Sequence, residues 1–376
     1  MFPLDTIYFN HYPYTAQNWW ERWRFIVNWW RIYADDPYWV PPYYPALRRA
    51  LEPAHNRHLA RLNPVPIYVE ALPRRRNRSR SALASPVFEQ SVAAAVVLID
   101  PRRQDGVAYL ALLHLINDVE TLEWLLEYLA EPLLSRGYHR IIGPTGLSPH
   151  LGTGLLQDYW SILPPLHTPY NPPYLPEIAD IVLHRRSHSR LYHLQIPPEL
   201  PVRGDSRVEI APLELARLAS DLLPLFAEAC PSWLNFAPPD VEEAIFLLRW
   251  LGNWPLFGWL AQVESQPVGF VLLQPDISPF LRWARGGRNP LWRLWLAWAS
   301  RRPVRCGRLL YLAVLPGWRK RGIGSRLLYQ AMLTAKQQGW QSFSIGPLPG
   351  TIAAAKFLEN RGAQPQQTYL LYQKDL

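Results

Sequence analysis

The sequence predicts an α/β (α+β) protein of two domains, and three observations carry that expectation. At 376 residues the chain exceeds one typical compact core. The stretch 309–315 is apolar on both faces, as a covered strand is, and stops at Pro316, which has no N–H for a ladder. A helical pattern follows, with Leu327, Leu328, Ala331, Met332 and Ala335 recurring up to Gly339. The same order of strand, helix, glycine, strand and Gly-Pro runs upstream through residues 107–115, 122–133, Gly137 and 138–144, and reads as a diverged internal repeat.

Taken in order, residues 19–30 form a helix with Trp19, Trp23, Ile26, Val27 and Trp30 on its apolar face. Residues 92–100 and 107–115 are strands. The Pro-rich stretch 196–205 is the linker, dividing residues 1–200 from 206–376. The second domain opens with a strand at 208–210 and helices around 213–229 and 239–251. A hairpin of 256–263 and 268–273 follows, turning at Glu264-Ser265-Gln266-Pro267. Beyond the central unit come a strand at 342–345, a helix at 351–363 and a strand at 368–373.

The central strand and helix are joined by Pro316-Gly317-Trp318-Arg319-Lys320-Arg321-Gly322-Ile323-Gly324-Ser325-Arg326. Gly322 and Gly324 stand where a ligand must approach the backbone and where the first helical N–H groups lack partners. Those donors, the positive end of the helix dipole and Arg319, Lys320, Arg321 and Arg326 suit a pyrophosphate. The spacing is neither G-x-G-x-x-G nor G-x-x-x-x-G-K-[ST], and no acidic residue follows where a ribose would need one, which sets aside the two familiar nucleotide loops.

The remaining pattern, Arg319-x-x-Gly322-x-Gly324 after a strand ending in Val314-x-Pro316, resembles the coenzyme A loop of the GNAT superfamily of acyl-CoA-dependent N-acyltransferases. Upstream, Ile32-Tyr33-Ala34-Asp35-Asp36-Pro37-Tyr38-Trp39-Val40-Pro41-Pro42, then Gly143-Pro144, then Thr168-Pro169-Tyr170-Asn171-Pro172-Pro173-Tyr174 resemble, as an ordered set, the first half of uncharacterised bacterial two-part GNAT proteins. The resemblance implies tandem GNAT-like domains, each a mixed, mostly antiparallel sheet flanked by helices. Residues 1–200 form a diverged copy and 206–376 the copy with the CoA loop. In the first copy the loop reads Asn117-Asp118-Val119-Glu120, without glycine or cation, so it is not expected to hold CoA.

Acetyl-CoA or another acyl-CoA is the implied co-substrate. Its pantetheine arm would pair with the backbone of Ala313, Val314 and Leu315, with an oxyanion donor near Leu315. The cradle would comprise Arg319, Lys320, Arg321, Gly322, Ile323, Gly324, Ser325 and Arg326, with Thr351 and Phe357 completing the site. The implied reaction is N-acetyl or N-acyl transfer by direct attack of an amine on the thioester. An alkylamine with a pKa of about 10.4 must lose a proton first. The family's usual tyrosine acid is absent, since its position is Leu358, and Thr351 stands where asparagine is frequent. Glu228, Glu243, Asp276, Tyr311 and Tyr369 are the candidate proton carriers, each with a structural role as the competing reading.

Charge and composition bound the partners. A net charge of +9 admits an anionic partner. Much of the excess lies at Arg74-Arg75-Arg76-Asn77-Arg78-Ser79-Arg80, read as a solvated loop rather than a nucleic-acid site, and in the CoA loop. Cys230 and Cys306 are the only cysteines and have no metal or redox spacing. His184 and His188 have an i,i+4 spacing that holds metal on a helix, but no third ligand stands near, so no metal is expected. With no signal-peptide pattern at Met1-Phe2-Pro3-Leu4-Asp5, a cytoplasmic protein is expected. The insertion 280–303 contains Leu291-Trp292-Arg293-Leu294-Trp295-Leu296-Ala297-Trp298, for which three readings stay open: a buried helix, a wall of the acceptor pocket, or a peripheral membrane contact through Trp292, Trp295, Trp298 and Arg301-Arg302. The leading expectation is an acyltransferase for a small amine; the alternative is a non-catalytic acyl-CoA-binding sensor or membrane-associated protein. The acceptor, acyl chain and oligomeric state are not legible.

Overall fold

The computed structural model describes residues 9–73, 90–199, 208–213, 222, 223, 225, 226, 228 and 236–376. The Arg74–Arg80 cluster, Cys230, most of the linker and most of the expected helix at 213–229 lie outside the described residues.

The first half runs β1 (Phe9–Thr15), α1 (Trp19–Ile32), α2 (Tyr44–Ala50), α3 (Arg57–Arg61), β2 (Val65–Pro73), β3 (Gln90–Leu98), β4 (Val107–Leu115), α4 (Val119–Leu134), β5 (Arg140–Thr145), β6 (Leu155–Leu156), α5 (Tyr174–Val182) and β7 (His184–Gln195). The second runs β8 (Glu209–Pro212), α6 (Val241–Leu251), β9 (Phe257–Val263), β10 (Gln266–Pro275), α7 (Ser278–Trp283), α8 (Pro290–Ala299), β11 (Cys306–Val314), α9 (Ile323–Gln337), β12 (Ser342–Leu348), α10 (Ala353–Glu359) and β13 (Gln364–Asp375).

All strands join one sheet, in the order β1-β2-β3-β4-β5-β13-β7-β12-β11-β10-β9-β8, with β6 against β13. Only β4/β5 and β11/β12 are parallel, each linked through its helix, α4 or α9; every other pairing is antiparallel. The repeat extends to detail, since Gly143-Pro144 and Gly346-Pro347 are both cis. The final strands are exchanged between halves. β7, the last strand of the first half, pairs with β12, whereas β13, the last of the second, pairs with β5. β7 and β13 then pair with each other along almost their whole length. Separating the halves would therefore break ladders on both sides of the exchange, so they cannot open as independent hinged bodies.

Three elements differ from the sequence reading. Residues 9–15, aromatic and irregular in pattern, form an edge strand that tolerates Pro13 because it pairs only with β2. His184 and His188 lie on β7, not on a helix. In a strand, residues four apart are about 13 Å apart, so the pair does not form a helical metal clamp. The alternation that marks β7 is hidden because its arginines and histidines remain largely exposed until Ser189, Leu191 and Tyr192 turn inward.

The sheet carries separate cores. Leu122, Leu125, Leu126 and Leu129 of α4 pack with α5 on one face of the first half. Ile323, Leu327, Leu328, Ala331 and Ala335 of α9 pack on the corresponding face of the second. On the opposite side, one continuous core joins α1 to α6 and unites the halves. Cys306 is a half-buried free thiol, 3.4 Å from the Ser344 hydroxyl, and burial pushes its pKa up.

Candidate acyl-CoA site

Strand β11 divides from β12 partway along its length. Their pairing runs from Cys306↔Ser342 to Leu309↔Ile345 and then ends. The cause is a bulge: Leu273 opposes Leu309 and Leu272 opposes Tyr311, so Leu310 is inserted and β11 bends. Beyond it, no strand pairs with the β12-facing edge of β11. An extended amide-bearing chain can add there as a strand does.

The ladder identifies which backbone groups face that opening. Leu315 N–H donates to Val268 C=O at 2.9 Å, so residue 315 spends its N–H on β10. Antiparallel alternation places Ala313 on the same side and turns Leu312 and Val314 outward. The Val314 carbonyl confirms the direction, accepting from Arg319 Nε at 3.0 Å. The expectation of an oxyanion donor at Leu315 is thereby corrected, because that amide is used within the sheet. The outward amides are those of Leu312, which sequence reasoning did not single out, and Val314.

The loop then delivers a cradle. Gly322 takes φ +80° and is the N-cap residue of α9, with no side chain capping the helix. A Cβ added at Gly322 or Gly317 would meet nothing within 4 Å, and one at Gly324 would meet only Phe357 at 3.7 Å and Leu312 at 3.8 Å. Packing therefore leaves open space above the first-turn amides, as close approach of a phosphate requires. Arg361, unnoticed in the sequence, lies 3.6 Å from the Phe357 ring and donates to Ser325 Oγ at 2.5 Å. Arg319, Lys320 and Arg321 are exposed on the other side, with Arg321 over Trp318 at 4.7 Å. Thr351 is exposed just before α10, and Leu358 is buried in the core. Between Asp276 and Glu359 every charged residue is basic, so no carboxylate on this stretch opposes an anionic ligand.

The corresponding place in the first half is closed. The Asp118 carboxylate caps α4, accepting from Thr121 N at 2.9 Å. His11 Nε2 lies 2.9 Å from Thr121 Oγ1, and the Tyr174 hydroxyl donates to the Leu115 carbonyl at 2.7 Å. A titration with CoA is expected to give one site per chain; a stoichiometry near two would overturn this reading.

The candidate proton carriers are dispersed. Glu228 is exposed. Buried Glu243 accepts from Ser148 Oγ at 2.7 Å and pairs with Arg102 at 2.9 Å. With His58 and Asp240 it forms a group whose ligand atoms lie within 4.8 Å of one another, but Arg61 and Arg102 ion-pair with these carboxylates. Burial raises the pKa of Asp276, whose carboxylate accepts from Leu166 N at 3.0 Å and Ser278 N at 3.1 Å. Buried Tyr369 donates to Gln367 Oε1 at 3.2 Å. Of the five, only Tyr311 stands on the strand that forms the opening; its hydroxyl lies 3.4 Å from the His150 carbonyl.

A split parallel pair opening onto a glycine-capped basic helix start defines an acyl-CoA-binding N-acyltransferase fold. Residues 221–363 match the acetyltransferase (GNAT) family model, and the chain belongs to the GNAT superfamily with a two-part architecture. A tandem GNAT protein from the clavulanic acid biosynthesis pathway superposes with a TM-score of 0.59 at 10% identity, over 98% of each chain. A conserved protein from Enterococcus faecalis, described as a probable N-acyltransferase, gives 0.54 at 7% identity, over 97% of this chain and 73% of that one. The glucosamine N-acetyltransferase region of a fungal multi-domain β-N-acetylglucosaminidase gives 0.55 at 13%, over 99% of this chain and 38% of that one. At these identities the likeness is one of fold. No curated protein matches the chain.

Proposed function

We propose that the protein transfers an acyl group, most simply acetyl, from acyl-CoA to a small primary amine. The observation that carries this reading is the continuity of the open β11 edge with the cradle at Gly322, Ile323, Gly324 and Ser325. Acyl-CoA supplies an activated thioester. The outward backbone of Leu312 and Val314 orients its pantetheine arm, the Val314 N–H is placed to stabilise an oxyanion, and the first turn of α9 with Arg319, Arg326 and Arg361 holds the pyrophosphate. With no carboxylate on the cleft strand, Tyr311 and bound water are the groups placed to move protons. Positioning a good nucleophile beside the thioester supplies much of the acceleration. Release of free CoA from acetyl-CoA is expected with at least one member of a panel of primary amines. Binding of acetyl-CoA with no release across the panel would leave the non-catalytic sensor.

A second reading rests on α8. Its inner side is buried through Leu296 and Ala299, and Trp292 and Trp295 are half-covered by Trp283 and Phe280, so part of the insertion is core. Yet Leu291 and Leu294 are 73% exposed and Trp298 is 53% exposed, beside Arg301 and Arg302. No helix among the described residues is long and apolar enough to cross a membrane. An apolar face with arginines beside it suits the surface of an anionic bilayer. Sedimentation with phosphatidylglycerol vesicles is expected at low salt, weakening with added salt and on Leu294→Ser plus Trp298→Ser. Absence of binding at low salt removes this reading.

A further inference from the structure

The first half contains a cavity that the acyl-CoA site does not use. It holds about 210 Å³ and lies where β4 ends at Leu112, Leu113 and His114 and the chain passes through cis Gly143-Pro144 to Gly146. By the internal repeat, this is the counterpart of the place where β11 and β12 divide in the second half. The pyrophosphate route to it is closed by Asp118, and Tyr174 takes up the Leu115 carbonyl. The pocket has thus lost its CoA entrance but kept its volume.

Its walls come from both halves: Trp29, Trp39 and Tyr43 from the first, Phe246, Trp250 and Trp254 from the second. None of the lining residues is Asp, Glu, Lys or Arg. Its two histidines are held neutral, with burial lowering both pKa values to about 3. A cationic amine would therefore find no counter-ion, which separates this pocket chemically from an ammonium acceptor site. Two polar atoms on the wall have no partner. Trp29 Nε1 belongs to a side chain with only 2% exposure, and His114 Nε2 is buried although Nδ1 of the same ring lies 3.1 Å from the Tyr33 hydroxyl. An indole N–H can only donate, so the group that satisfies Trp29 must present an acceptor. A dry apolar cavity of about 150 Å³ already admits benzene, so this one has room for a larger ring system. The aromatic walls favour flat rings in stacked or edge contact.

We propose that this cavity is a second small-molecule site, for a neutral flat aromatic compound bearing one oxygen acceptor directed at Trp29 Nε1, and that it fills independently of acyl-CoA. Transfer to an amine in the second half does not require it, so the two readings stand or fall separately.

The test uses 2-naphthol and naphthalene as probes on the full chain, read by calorimetry and by tryptophan quenching. Saturable binding of 2-naphthol at one site is expected, changing less than twofold in saturating acetyl-CoA. Trp29→Phe keeps the ring and removes the donor. It is expected to weaken 2-naphthol about five- to tenfold while leaving naphthalene unchanged, the effect of one buried hydrogen bond. Ala46→Trp, which fills the lining at a different wall, is expected to abolish binding of both probes. If the parent shows no saturable 2-naphthol binding, only water occupies the cavity and the proposal fails. It also fails if acetyl-CoA displaces the probe, which would make the cavity part of the acyl cleft, or if Ala46→Trp folds and binds as the parent does.

Discussion

Gly324→Asp is expected to weaken acyl-CoA binding by at least about tenfold while leaving the thermal stability of the free protein nearly unchanged. The two halves of this expectation have different causes. A carboxylate at this position would stand about 5 Å from a pyrophosphate held by the first turn of α9, for a repulsion of roughly 1–3 kcal/mol across the dielectric range of a partly exposed site. The added side chain also enters the space that close backbone approach requires. In the free protein, the same Cβ meets only ordinary contacts at 3.7 Å or more. Asp near a helix N-terminus is favourable to the dipole, so the fold has no reason to object. Calorimetry with acetyl-CoA and a melting curve of each protein without ligand measure both quantities. Parent-like affinity would mean that the loop is a structural turn, and binding lost together with folding would leave the cradle unsupported.

Acidification from pH 7.5 to pH 5 is expected to remove about 4 kcal/mol from the apparent free energy of unfolding, well before most carboxylates titrate. His114 and His167 carry this effect. Burial lowers both to about 3, from an unfolded value near 6.5. For His167 the neighbours also select the neutral ring. Nδ1 accepts from Trp250 Nε1 at 3.1 Å, Nε2 contacts Gln274 Oε1 at 3.0 Å, and the Arg308 charge disfavours a second proton. Because the folded values are depressed, the unfolded chain binds more protons below pH 6.5, so stability falls as pH falls through the window from about 6.5 towards 3. At pH 5 each histidine accounts for about 2 kcal/mol on this linkage. His58, lowered by burial beside Arg61 and Arg102, acts in the same direction. Buried Asp276, whose pKa is raised, acts in the opposite one. Urea unfolding at the two pH values measures the difference, and His167→Gln should remove close to half of the slope. Equal stability at pH 5 and 7.5 would show that these rings are not buried neutral in the folded chain.

The CoA loop was legible because its signals are local. A strand apolar on both faces, a proline that ends it, two glycines and four cations within a few residues all act over one turn of chain. The closure of the first-half loop was legible for the same reason, since Asp118 sits in sequence where it caps α4 in space. The strand limits of β4 could be read to the residue because its alternation is undisturbed. In β1, α5 and β7 the pattern is confused by edge position, prolines or exposed basic residues, and these elements emerge only once their partners are present.

What the sequence by itself determined was the repeated α/β unit, the GNAT character of the second half and the residues of the phosphate cradle, because backbone conformation and charge within one loop depend on neighbours in the chain. Tertiary structure decided which side of each strand is spent and which is free. It turned Leu312 and Val314 outward and assigned Leu315 to Val268. It brought Arg361 against Ser325, and exchanged β7 and β13 so that two half-sheets became one. It also folded Trp29, His114 and Trp250 around a common cavity. The physical reason is that ladder register, burial of an ionisable ring and the lining of a cavity are set by pairings across tens to hundreds of residues, and no local propensity encodes which distant partner occupies the other side.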